Sequence, residues 1–259
     1  MLSKAHFPAY TSLGLMGMTW RADQISNEQA FAVMRAASAS GATLWSTADF
    51  YGTTDPLAGI RLVGRYFKKY PHDAFNISVY VKGCIDPTTM QPDNSPEATR
   101  KSVESVRDAL GGAKNVDIIF GPARVDPNVP IEDTMEELEE LVDECKISGV
   151  GLSEVGPETI RRAHACMPLA LVEVEFSLWS TEFLTNGVAA TTKELDIPVL
   201  AYSPLGRGFF TGQLKSIQDI PAGDMRLSFD RFQPEVSQLP LFPALARDGV
   251  SFAYEPELT

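Results

Sequence analysis

Seven short apolar runs, each followed by a stretch of helical periodicity, constrain this chain more than any other feature. They fall at residues 12–17, 42–47, 75–81, 116–120, 149–152, 169–174 and 197–201. Each is rich in Val, Ile or Leu rather than alternating apolar and polar, as parallel strands covered on both faces are. The segments between them carry helix starts. Ser26 with Gln29 forms a capping-box pattern ahead of a helix reaching Ala39, and Ser95 followed by Pro96 reads as an N-cap with proline at the first helical position. From Pro130 onward, Ile131, Met135, Leu138, Val142 and Cys145 share one stripe. Glu136, Glu137, Glu139 and Glu140 lie between them, and a solvated outer face accounts for them without a metal site. Repeated strand-then-helix units require parallel strands with right-handed crossovers, which leaves a barrel or a doubly wound sheet.

At 259 residues the chain fits one large α/β domain, and no linker-like composition interrupts residues 1–259. The formal net charge of -12 argues against nucleic acid or an anionic membrane as partner, while leaving room for a phosphate held by a few local groups. Cys84, Cys145 and Cys166 are odd in number and form no C-x-x-C pair, which predicts a reduced, cytoplasmic setting without a metal site. The first twenty residues lack the layout of a signal peptide, and no run reaches the roughly 18 apolar residues of a membrane span.

The three histidines, His6, His72 and His164, lie before strands or within a helix rather than at the C-terminal strand ends where barrel sites are assembled. A histidine triad or histidine-rich metal site is therefore a poor reading. Residues 206–212 nearly match a dinucleotide fingerprint, but the last glycine comes one place late and the segment opens no βαβ unit; a phosphate-facing loop after a late barrel strand fits better. Two strand ends remain. Tyr51 follows the second run and Lys82 ends the third. In neighbouring strands a phenol and an ammonium meet at one mouth, where the cation favours phenolate and makes the tyrosine a usable proton donor to a carbonyl. A packing tyrosine with a surface lysine is the equal alternative from spacing alone.

The segments Gly14-Leu-Met-Gly-Met-Thr-Trp20, Thr47-Ala-Asp-Phe-Tyr-Gly52, Val81-Lys-Gly83, Gly151-Leu-Ser-Glu154, Val172-Glu-Val-Glu-Phe-Ser-Leu178 and Ala201-Tyr-Ser-Pro-Leu-Gly-Arg-Gly-Phe-Phe-Thr-Gly212 follow one another in an order that resembles the aldo-keto reductases. With Ala123-Arg-Val-Asp126, the pattern is most similar to the fungal pyridoxal reductase branch. The resemblance implies a (β/α)8 TIM barrel binding NADP(H) and reducing a small-molecule carbonyl, pyridoxal-like or from secondary metabolism. It implies Tyr51 as proton donor and Lys82 as its cationic neighbour. It puts Ser153, Glu154 and Glu173 beside the nicotinamide carboxamide and Tyr202 against its ring. Ser203, Leu205, Gly206 and Arg207 would face the pyrophosphate, and Met18, Thr19 and Trp20 would line the cofactor or substrate pocket.

Three departures qualify that picture. The aspartate usual five residues before the tyrosine is Ser46, so Lys82 must find another carboxylate or titrate more easily; Asp49 is one candidate. The usual histidine at the end of the fourth strand is replaced at Ala123, with Arg124 as a possible substitute donor. Beyond Pro234 the likeness fades, which predicts that the eighth β/α unit is missing or replaced over the divergent residues 235–259, with a helix at 239–247, Gly249 as its stop and a strand at 250–255. An inactive, truncated barrel or a cofactor-binding partner protein is the second reading, and an unrelated phosphate-binding barrel the third.

Overall fold

A computed structural model describes residues 11–21, 25–114, 117–212, 214 and 216–233. Its strands and helices run in the order β1 (Ser12–Gly14), α1 (Met16–Thr19), α2 (Asn27–Ala39), β2 (Leu44–Ala48), α3 (Ala58–Lys69), α4 (Asp73–Asn76), β3 (Ser78–Gly83), α5 (Pro96–Leu110), β4 (Ile118–Pro122), α6 (Ile131–Asp143), β5 (Gly149–Ser153), α7 (Pro157–Cys166), β6 (Leu169–Glu175), α8 (Val188–Glu194) and β7 (Val199–Tyr202). The seven strands form one sheet in sequence order, and the registered pairs from β1 to β6 are parallel. This is the α/β, TIM-barrel type of fold. The proposed helix at 239–247 and strand at 250–255 lie outside the described residues.

The helix starts follow the sequence signals. Ser26 caps α2 with a reciprocal box, its hydroxyl accepting from Gln29 N at 3.2 Å while Gln29 Oε1 accepts from Ser26 N at 3.0 Å. Ser95 caps α5 ahead of Pro96, and Gly111 ends that helix in the left-handed region. Three boundaries differ from the periodicity. The run at 12–17 gives a three-residue strand, after which the chain turns into α1. Residues 75–76 close the helical turn α4 instead of opening β3. On α6 the buried stripe passes through Leu141, whereas Cys145 lies beyond the helix and is exposed.

The chain divides into two compact units: residues 1–174 with 182–202, and residues 175–181 with 203–259. In the first, two apolar layers are distinct. Leu44, Tyr80, Ile119, Leu171 and Leu200, one from each of five strands, form a small cluster inside the sheet. A larger cluster joins the other strand faces to the helices through residues such as Trp45, Tyr66, Phe120, Met135 and Val172. Side chains alternate faces along a strand, so Ser46, Lys82 and Glu173, each two residues past a member of the small cluster, stand directly above it. The second unit has its own core of Phe209, Phe210, Leu214, Ile220 and Phe232. There Arg231 grips Glu175 with two hydrogen bonds of 2.6 and 3.1 Å.

Candidate active site

Lys82 is the centre of the site. It lies next to the end of β3, opposite Ala48 of β2, and only 5 % of it is exposed, which removes the surface-lysine alternative. Its Nζ donates to Ser46 Oγ at 2.8 Å and to Glu173 Oε1 at 3.0 Å, and lies 2.8 Å from Glu173 Oε2. Ser46 completes a triangle by donating to Glu173 Oε1 at 2.7 Å. Ser153, paired with Glu173 across β5 and β6, directs its hydroxyl to Oε2 at 3.5 Å. Burial pulls the Lys82 ammonium down, but the Glu173 carboxylate and the Tyr51 phenol outweigh it and hold it above the ordinary lysine value.

Tyr51 sits beside this group, its ring centroid 5.4 Å from Lys82 Nζ. The chain carries it there by leaving β2 after Ala48 and turning. Thr19, at the end of α1, donates its hydroxyl to the Tyr51 carbonyl at 2.6 Å. Glycine is required next: a Cβ on Gly52 would stand 1.8 Å from the Asp55 carbonyl oxygen. On α3, a Cβ on Gly59 would press on Thr47, Thr19 and Tyr51 together. Trp20 tilts over the Tyr51 ring at 5.4 Å and meets Phe50 edge-on at 5.8 Å, so the phenol borders an aromatic wall. Of the segment expected to line the pocket, Trp20 flanks Tyr51 and Thr19 anchors it from behind. Met18 is packed into the large core cluster.

Asp49 is not the lysine's carboxylate. Because the strand ends at Ala48, its side chain turns toward α5 and accepts a hydrogen bond from Ser102. Its other oxygen, Oδ1, is buried with no hydrogen-bond partner among the described residues. Burial pushes this carboxyl up to about 6 against the pull of Ser102. At the end of β4, Ala123 is buried and offers no side-chain donor. Arg124 is exposed and donates to the Ala123 carbonyl at 2.6 Å. Tyr80, fully buried beneath Lys82, has an unpartnered hydroxyl among the described residues. His164 accepts from Leu169 N at 3.2 Å, a packing role.

The residues that follow β3, β5 and β7, namely Cys84, Glu154 and Ser203, all adopt positive φ, at 62°, 55° and 53°. Such backbone is costly for residues with a Cβ, and it also occurs ahead of strands here, at Asp117, Cys145 and Asp196. Glu154 is exposed and Tyr202 half-buried at their strand ends. In the second unit, Gly206 (φ 57°), Arg207 (φ 56°) and Gly208 (φ 93°) continue the left-handed backbone, and a Cβ on Gly206 would meet the Phe210 ring at 2.8 Å. Leu205 is exposed. The Arg207 guanidinium lies 4.3 Å over the Phe229 ring, and its Nε and Nη1 are buried without a partner among the described residues.

A tyrosine beside a buried lysine and its carboxylate thus sits where the strands of a parallel α/β barrel end. The Aldo/keto reductase family model matches residues 12–247, and the chain belongs to that family and thereby to the oxidoreductases. It is 42% identical over 228 residues to "Probable pyridoxal reductase 2" of Schizosaccharomyces pombe, covering 86% of this chain and 68% of that one. It is 35% identical over 214 residues to aldo-keto reductase str7 of Strobilurus tenacellus, covering 81% and 60%. In fold it is similar to a glycerol dehydrogenase of Gluconobacter oxydans, with a TM-score of 0.76 at 22% identity over 91% of this chain and 71% of that one. The chain thus spans about two thirds of the length of these proteins. No helix among the described residues is long and apolar enough to cross a membrane, and no group of three or more metal-ligating side chains occurs among them.

Proposed function

We propose that the protein reduces an aldehyde or ketone with NADPH, and that Tyr51 gives the proton. The observation that carries this reading is the phenol of Tyr51 set against a buried ammonium, 5.4 Å from ring to Nζ, at the mouth of the barrel. A nicotinamide held there would supply the hydride. As hydride reaches the carbonyl carbon, charge builds on the carbonyl oxygen, and Tyr51 delivers its phenolic proton there. Lys82 then faces a phenolate, whose charge it offsets in a site almost closed to water. The aromatic wall of Trp20 and Phe50 suits a planar substrate, in keeping with the pyridoxal named for the yeast relative. Ala123 leaves the carbonyl with one fewer donor than the family pattern supplies, so Tyr51 carries more of its orientation.

Each unit, taken by itself, has residues suited to part of a nicotinamide cofactor. In the first unit, Ser153, Glu154 and Tyr202 at the ends of β5 and β7 would hold the nicotinamide. In the second, the buried Nε–H and Nη1–H of Arg207 lack acceptors among the described residues, and a phosphate oxygen is the group that satisfies them. Ser203, Leu205 and Gly206 would border the same phosphates through their backbone.

Cofactor choice is checked by quenching of tryptophan fluorescence with NADPH and NADH, Trp20 being the reporter beside Tyr51. Micromolar binding that favours NADPH is expected, and absence of binding by folded protein would refute the reading. Tyr51→Phe is expected to abolish turnover of pyridoxal-like carbonyls while NADPH affinity stays within about twofold; retained turnover would assign the proton to another group.

A further inference from the structure

We infer that Glu173 is the positioning residue for Lys82: the counter-ion of the catalytic pair has moved from β2 to β6, and Ser46 is the relay that makes the move work. The inference rests on the proposed roles of Tyr51 and Lys82. A buried ammonium needs an anion, and Ser46, at the position where the family pattern has an acid, cannot be one. Its hydroxyl instead accepts from Lys82 at 2.8 Å and donates to Glu173 at 2.7 Å, one oxygen serving both charges. Glu173 is 2 % exposed and engages the ammonium with both oxygens.

The sheet explains how the carboxylate arrives. β3 and β6 are separated by β4 and β5, so the pair spans the barrel interior and does not run along its wall. The intervening positions on the inward face are Gly121, opposite Lys82, and Gly151, two residues before Ser153. Neither has a side chain to block the path, and neither tolerates one. A Cβ on Gly121 would lie 1.7 Å from the Gly151 carbonyl oxygen, and one on Gly151 would lie 2.7 Å from the Tyr80 ring.

The groups facing Lys82 are Tyr51 from the turn after β2, Tyr80 from β3, Ser46 from β2 and Glu173 from β6. Arg124, after β4, acts on Tyr80. Glu173 is the only carboxylate among those acting on the ammonium. A carboxylate so engaged holds the lysine charged and in place for Tyr51, and its oxygens are committed before any carboxamide reaches them.

The test is the titration of Lys82 in the full chain labelled with 13C at lysine Cε, followed by NMR without cofactor or substrate and assigned by loss of the signal in Lys82→Met. Glu173→Gln is expected to lower the Lys82 midpoint by about two pH units or more. Ser46→Asp/Glu173→Gln, which returns the acid to β2, is expected to restore it, and the alkaline limb of the kcat profile should move and return in step. A midpoint unchanged in Glu173→Gln, or lowered but not restored by Ser46→Asp, overturns the inference. Should Glu173→Gln fail to fold, folding of the double variant supports it and failure of both overturns it. Because the readout needs no turnover, a protein without reductase activity still tests the ion pair, and loss of the reductase reading is seen separately.

Discussion

Asp49→Asn should stabilise this protein at neutral and alkaline pH and do nothing at acidic pH. The Asp49 carboxyl, tucked between the end of β2 and Ser102 of α5, is shifted from its ordinary 3.8 up to about 6, with burial as the largest cause. Between those two values the unfolded chain has released this proton while the folded chain retains it. The unfolded state therefore binds fewer protons, and stability falls as pH rises through that window. A shift of about two units corresponds to roughly 3 kcal/mol at most. Partial solvent access reduces the expected gain to about 1–2 kcal/mol at pH 8.

Asparagine keeps an acceptor for the Ser102 hydroxyl, so the hydrogen bond itself survives the change. Below about pH 4 the native aspartate is protonated and neutral like its replacement, and the difference should vanish. Thermal unfolding followed by circular dichroism from pH 4 to pH 8 reads this directly. At this chain length each kcal/mol moves Tm by about 2–4 °C. A gain of the same size at both ends of the range would trace the effect to packing rather than charge. A wild type more stable than the variant at pH 8 would refute the reasoning outright, since the carboxylate would then be held favourably.

Three further outcomes follow from the same geometry. Lys82→Met should eliminate turnover and, by stranding the buried Glu173 carboxylate, cost about 3–5 kcal/mol in denaturant unfolding; Lys82→Met/Glu173→Gln should recover most of that stability but no activity, and a single variant as stable as wild type would contradict the ion pair. Gly121→Ala should destabilise by about 3 kcal/mol or more, because its methyl would enter the β5 backbone; Gly149→Ala, where the nearest atom is the Ala170 Cβ at 3.4 Å, is the matched control and should be tolerated in the same melting assay. Arg207→Ala should weaken NADPH binding at least tenfold with little change in Tm, and unaltered affinity by fluorescence titration would remove the guanidinium from the cofactor.

The fold was legible because strands buried on both faces must be apolar throughout, and seven such runs separated by capped helices admit few topologies. Boundaries slipped where a local turn overrode composition, as at Met16–Thr19 and Asp73–Asn76, both short helical turns adjoining strands. The meeting of Tyr51 and Lys82 was legible in part: both follow or close apolar runs predicted to be neighbouring strands, though spacing alone left a surface lysine equally open until the fold buried it. The counter-ion was not. Asp49 is two residues from Tyr51 and invited the assignment, yet one turn of backbone after Ala48 sends it outward to α5. Glu173 is 91 residues from Lys82, and nothing local marks it as the lysine's partner. Only the parallel register, with glycines on the intervening strands, turns two remote side chains into neighbours. A serine where an acid is expected thus reads as a loss in the sequence and as a relay in the folded chain. The missing carboxylate is better sought across the barrel, on an inward position of another strand, than among the residues next to the gap.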